Sequence, residues 1–289
     1  RCLVEREVAG ECFSLPSADS CSVFVHLIIS MNPTTYSTIF AGGLLFGMLV
    51  LLETGRRLGN RRRAQDPEGA RQGVAAVEGA VFGLLGLMIA FTFSGAASRF
   101  DTRRQLVVTE ANNIGTAWLR LDLLPPNPAA TLRELFRQYL DSRLGAYQKL
   151  PDIPAAEKEL AHAVQLQGEI WTVAVAACRD SGSSPAHMLL LPALNEMFDI
   201  TTTRTEATKL HPPTIIYAML GGLALASALL AGFGMAGGKS RSWIHTIGLA
   251  GVMALSVYVI LDIEYPRLGL IRVDGADPVL IELRASMNP

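Results

Sequence analysis

Apolar residues in this chain gather into four long runs free of Asp, Glu, Lys and Arg: Asn32 to Leu52, Gly79 to Ser98, Thr214 to about Ala236, and Ser242 to Leu261. At a helical rise of ~1.5 Å per residue, about twenty such residues cross the ~30 Å hydrocarbon core of a bilayer, so each run predicts a transmembrane helix. Trp243 and Tyr258 sit near the ends of the fourth run, where interfacial aromatics belong. Between the second and third runs the pattern turns amphipathic. No breaker follows Ser98, and the apolar period continues through Phe100, Val107, Ala111, Ile114, Trp118 and Leu121 until Pro125-Pro126 stops it. One helix therefore leaves the membrane and enters a polar domain. Leu132, Leu135, Phe136, Tyr139, Leu140, Leu144 and Tyr147 predict the next helix, with arginines on its opposite side, ended by Pro151 and Pro154. Ala155 to Asp180 and Ala186 to Leu210 predict two more, separated by SGSSP and with Pro192 inside the second. A short helix is expected from Pro278 to Met287.

The predicted fold class is all-α: an integral membrane protein with four transmembrane helices and a helical extramembrane domain between helices 2 and 3. Helices 1 and 2 occupy residues 31–98, the domain 99–212, helices 3 and 4 residues 213–262, and a C-terminal tail 263–289. Residues 1–30 are an atypical extension, expected to lie outside the fold. They lack an initiating Met, carry Glu5, Glu7 and Glu11 where a signal peptide needs basic residues, and give way at Met31 to a natural start.

The faces of the second helix decide what it could do. At about 100° per residue, Gly79, Gly83, Gly86, Ala90 and Ala97 share one narrow side, which permits close helix packing. Beside it run Leu87, Phe91, Ser94 and Ser98, followed by Asp101. Apolar rings giving way to hydroxyls and a carboxylate suit a helix lining a pore with a hydrophobic constriction, and small residues with occasional hydroxyls also suit ordinary bundle packing. Both readings stand on these residues alone.

Charged residues make up 18% of the chain and hydrophobic ones 50%, a membrane composition, and the net charge of -1 offers no basic field for nucleic acid. Arg56, Arg57, Arg61, Arg62, Arg63 and Arg71 fill the connection between the first two helices, which the positive-inside rule assigns to the cytoplasm. Lysine is confined to Lys149, Lys158, Lys209 and Lys239, an arginine bias that hints at a GC-rich bacterial source.

Chemical motifs fail on context. Gly232 to Gly237 spells G-x-G-x-x-G, but a membrane-length apolar run precedes it instead of a short strand. Gly238-Lys239-Ser240 mimics the end of a phosphate loop, yet Phe233 stands where the first glycine is needed. A glycine-rich turn between helices is expected instead. Cys2, Cys12, Cys21 and Cys178 have no zinc-site spacing, and the five histidines form no H-E-x-x-H. No metal, no cofactor, no catalytic residue and no enzymatic activity are expected. Glu53, Glu78, Asp262 and Glu264 lie at membrane-helix ends, where salt bridges or headgroup-level solvation account for them.

The blocks LLGLMIAFTFSGAASRFDTRR, EANNIGTAWLRLDLLP, LLLPALNEMFDITTTR and DIEYPRLGLIRVD resemble the prokaryotic bestrophin-like domain family, and more distantly the bestrophin ion channels. That resemblance implies a four-helix subunit of a pentameric channel, its second helices lining the pore. It also implies that Phe91 and Leu87 stand at a hydrophobic neck. Two positions depart from the channel pattern: the next neck position is Gly83, and Phe100-Asp101 replaces a tryptophan pair. The resemblance places the helical domain in the cytosol, opposite to the side that the arginine-rich connection gives, and orientation is left open between the two.

The expected function is an oligomeric, passive channel for small inorganic ions in the bacterial inner (plasma) membrane, a multi-pass homo-oligomer whose partners are the lipid bilayer and those ions. The alternative is a non-conducting scaffold or sensor that binds a partner through the helical domain. A channel needs the Leu87, Phe91, Ser94, Ser98 stripe to face a central axis, whereas a scaffold can bury it against the first or fourth helix.

Overall fold

A computed structural model describes residues 33–65, 74–181, 184–237, 243–265 and 267–287. The expectations for residues 1–30, the run starts Asn32 and Ser242, Arg71, part of SGSSP and Gly238-Lys239-Ser240 lie outside them. Among the described residues there is no strand. Helices run in the order α1 (Pro33–Gln65), α2 (Val74–Arg120), α3 (Pro126–Gln148), α4 (Ile153–Ser181), α5 (Ser184–Lys209), α6 (Thr214–Gly234), α7 (Trp243–Ile263) and α8 (Pro278–Ser286), with short 3-10 turns at Leu121–Leu123 and Asp274–Ala276. Four helical stretches are long and apolar enough to cross a membrane. The protein is an all-α membrane protein.

Pro125 and Pro213 are the N-caps of α3 and α6 and α3 stops before Pro151, but Pro154 lies in the first turn of α4 instead of ending α3, because the first turn of a helix tolerates proline. The arginine-rich connection differs from expectation. It continues α1 to Gln65, because arginine is a good helix former and Glu53 pairs with Arg56 and Arg57 one turn on.

Two cores result. In the membrane half, Leu44, Met48 and Leu52 of α1 meet Leu220, Ala224 and Ala228 of α6. Glycines set the spacing of this seam. A Cβ at Gly55 would overlap the carbonyl of Leu229, one at Gly232 the carbonyl of Leu52, and one at Gly59 would lie 2.7 Å from the Phe233 carbonyl. Thus Gly232 of the G-x-G-x-x-G string packs a helix, while Gly237 adopts φ 81° in the turn and donates its N–H to Asn60 Oδ1 at 2.8 Å. In the extramembrane half, Ile114, Leu121, Leu132, Phe136, Tyr139, Leu166, Ile170 and Leu194 form a second core from α2 to α5. Among the described residues, only α2 runs through both, as an unbroken helix of 47 residues.

Candidate functional site

The α2 helix presents two opposite faces. At about 100° per residue, buried Leu85, Ala96, Arg103 and Val107 lie roughly 180° from Leu87. On the other side, Leu87, Phe91, Ser94, Ser98 and Asp101 are all exposed, Phe91 to 67%. Neither α1 nor α7 covers them. Of the most apolar window in α2, 11% is buried inside the chain, against 28% in α1 and 28% in α7. The small-residue stripe meets no other helix of the same chain among the described residues. A Cβ on Gly79, Gly83 or Gly86 would meet no atom of the described residues within 4 Å beyond its own stretch of helix, and Ala90 is exposed. Close approach inside the chain is seen at Gly55, Gly59 and Gly232. Asp101 is exposed, with Arg104 at 3.7 Å one turn on.

Where α2 leaves the membrane half, its inward face is clamped. Arg99 grips Glu264, just past the end of α7, through Nε at 3.1 and 3.2 Å and through a terminal nitrogen. One turn later, Arg103 donates to the carbonyls of Ala207, Leu210 and Glu264, each at 3.0 Å. The two arginines therefore turn to helix partners. His211 Nδ1 lies 3.5 Å from Glu264 Oε2. Burial opposes ionisation of Glu264, but hydrogen bonds from His211 and Arg99 and the charges of Arg99 and Arg103 outweigh it and hold the carboxyl below its ordinary range. Nearby, Asp262 accepts the N–H groups of Leu270 and Ile271 at 3.0 and 2.8 Å and folds the tail back onto the helix end. One junction thus ties α2, the end of α5, the end of α7 and the tail.

Deeper in the domain is a charged cluster that sequence reasoning missed. Glu110, fully buried, binds Arg143 Nε at 2.7 Å through one oxygen and Arg204 through the other. Arg143 also donates to the Tyr147 hydroxyl at 2.7 Å. The Tyr147 ring has the guanidinium carbons of Arg204 and Arg267 at 4.6 and 4.2 Å from its centroid. Arg267 is held in turn by a two-pronged bond to Asp277. A signal was present. Glu110 interrupts the apolar period that includes Val107, Ala111 and Ile114, and Arg143 stands four residues after Tyr139 on the apolar face of α3. So the arginines of α3 are not all opposite its core: Arg143 is buried within it.

A family model described as the bestrophin-like domain matches residues 42–276. The crystal structure of a bacterial bestrophin homologue from Klebsiella pneumoniae, carrying a tryptophan-to-alanine substitution, matches with a TM-score of 0.63 at 11% identity, over 84% of this chain and 95% of that one. Among curated proteins none matches the sequence. The four sequence blocks singled out above supply Arg99, Arg103, Glu110, Arg204, Glu264 and Arg267. They meet at the junction and in the buried cluster.

Proposed function

The chain belongs to the bestrophin-like domain family, and from that premise we propose that it is a homo-oligomeric, passive channel for small inorganic ions in the bacterial inner membrane. Copies of α2 line its axis. Five subunits are the number that the family resemblance suggests. In this reading Leu87 and Phe91 narrow the path, Ser94 and Ser98 line it beyond the constriction, and Asp101 sits at the mouth. Gly79, Gly83, Gly86 and Ala90 let neighbouring α2 helices approach closely, a role supported by the open space beside them in the single subunit.

The observation that carries the reading is the direction of the stripe. It faces away from the body of its own subunit while bearing two hydroxyls and ending in a carboxylate, groups that gain nothing from hydrocarbon and suit a water-filled path. The test is flux from purified protein in liposomes, with chloride and potassium gradients run separately and oligomer size measured on the same sample. Selective flux that rises in Phe91→Ala supports the pore and the place of Phe91 in it. An assembled oligomer that passes neither ion sinks the channel and leaves a membrane scaffold that binds a partner through its helical domain.

A further inference from the structure

Beside the buried charge cluster, the extramembrane half holds an open-sided cavity of about 290 Å³ among α2, α3, the start of α4, the end of α5 and the tail. That volume is at the small end of the range of ligand sites, ~300–1,000 Å³. Its wall has two characters. Leu106, Leu150, Ile153, Leu160 and Leu268 make one part aliphatic, and Arg103, Arg143, Arg204 and Arg267 make the other cationic.

Among the groups shielded from solvent, guanidiniums outnumber carboxylates; Asp274 and the lining residue Glu157 bring further negative charge, but both are exposed. Arg143 and Arg204 share the single carboxylate of Glu110, which leaves that trio with one positive charge. Arg103 spends its guanidinium on three carbonyls, and the side chain of Glu264 is taken by Arg99. Of the four, Arg267 alone has carboxylates of its own, in Asp277 and, at 3.5 Å, Asp274. These side chains are mostly shielded from solvent, Arg143 and Arg204 with 4% and 9% of their surface accessible. Excess charge held away from water is costly unless a counter-charge joins it. At the mouth, Ile153 and Glu157 are exposed.

We propose that this cavity is a binding site for a small organic monoanion, a carboxylate with an apolar body, its charged end against Arg204 and its neighbours and its body against the aliphatic wall. An inorganic anion would satisfy the charge but leave the aliphatic wall unfilled, whereas a neutral apolar molecule would leave the charge unmatched. The carboxylate could arrive from water or, as a free fatty acid, from the bilayer. The site does not depend on whether the protein conducts.

The test is calorimetric titration of the purified full-length oligomer in detergent with hexanoate, hexanamide, palmitate and chloride at constant ionic strength. Hexanoate binds saturably, hexanamide does not, and excess chloride fails to displace hexanoate. Palmitate binding with the same dependence on Arg204 would identify the bilayer as the source, and hexanoate binding without it the aqueous phase; either upholds the site. Arg204→Gln weakens hexanoate by roughly tenfold or more, the effect of losing a hydrogen bond to a charged group. Because that variant disturbs Glu110, Ile153→Glu provides a second measure: exposed, in the first turn of α4 where acid is tolerated, it leaves the fold intact and weakens binding, while Glu157→Gln strengthens it. Equal binding of hexanamide, full displacement by chloride, or unaltered affinity in folded Ile153→Glu and Glu157→Gln would each overturn the proposal.

Discussion

The two faces of α2 do different work. Its inward face is packed, paired and capped: Leu85 and Ala96 lie in the membrane core, Arg99 and Arg103 clamp the junction, and Glu110 binds two arginines. Its outward face, Gly83 through Asp101, touches nothing comparable in the same chain. One helix thus serves both as the spine of the chain's fold and as a surface turned away from it. Burial inside the subunit accounts for the residues of the first face. It gives no reason for phenylalanine, serine and aspartate on the second, so their reason is sought in what surrounds the subunit.

The contrast breaks most readily at Glu110. Replacing it with alanine strands two shielded guanidinium groups, and breaking such a pair costs about 3–5 kcal/mol. Asp101→Ala, on the opposite face and exposed, should stay within about 0.5 kcal/mol. Thermal unfolding of the two variants in detergent measures both, and equal losses would show that the outward face is also a structural one. A smaller difference is expected between two glycines. Gly232→Leu forces side-chain atoms onto the Leu52 carbonyl and costs about 1–3 kcal/mol or more by overpacking, whereas Gly83→Leu has open space in the subunit and should leave its unfolding unchanged. If Gly83 lies between subunits, the same variant lowers the fraction of oligomer on a sizing column.

How much of this was legible from sequence depended on where prolines and charges stood. Pro125-Pro126, Pro151 and Pro213 punctuate the chain, and the apolar runs between them gave the helices and the span-domain-span order. The end of α1 was harder. Reading its arginines as a loop removed Gly55 and Gly59 from any helix and hid the spacing of four that places both against α6. Small-residue packing was expected on α2 from its own period, and the described residues of this chain place none there. Glu110 and Arg143 were missed because the apolar pattern was followed across them, although a charged residue in phase with a core stripe is the sign of a buried ion pair. The direction of Leu87 and Phe91 needed the third dimension, since helical period groups residues on a face without saying where that face points.

Acid should loosen the inward face at the junction before it affects the outward stripe. The carboxyl of Glu264 is held below its ordinary range, so its contribution to stability is fully present above the unfolded value of ~4.3 and is lost as pH falls through the lower folded value. Unfolding temperature, as far as this group sets it, should therefore be flat from pH 7 to about 5 and fall below about 4. Glu264→Gln should flatten that acid limb. A limb unchanged in the variant would move its origin elsewhere.

The smallest effect on the fold and the most informative one on the outward face is expected at Phe91. With 67% of its surface exposed, neither Phe91→Ala nor Phe91→Trp should shift unfolding by more than about 0.5 kcal/mol. If Phe91 narrows a water path, flux varies inversely with side-chain size: alanine above phenylalanine, and tryptophan below it. A residue facing lipid has no reason to order flux in that way, because hydrocarbon accommodates all three side chains. The graded series separates a constriction from general disturbance of the helix, which would move both variants in the same direction.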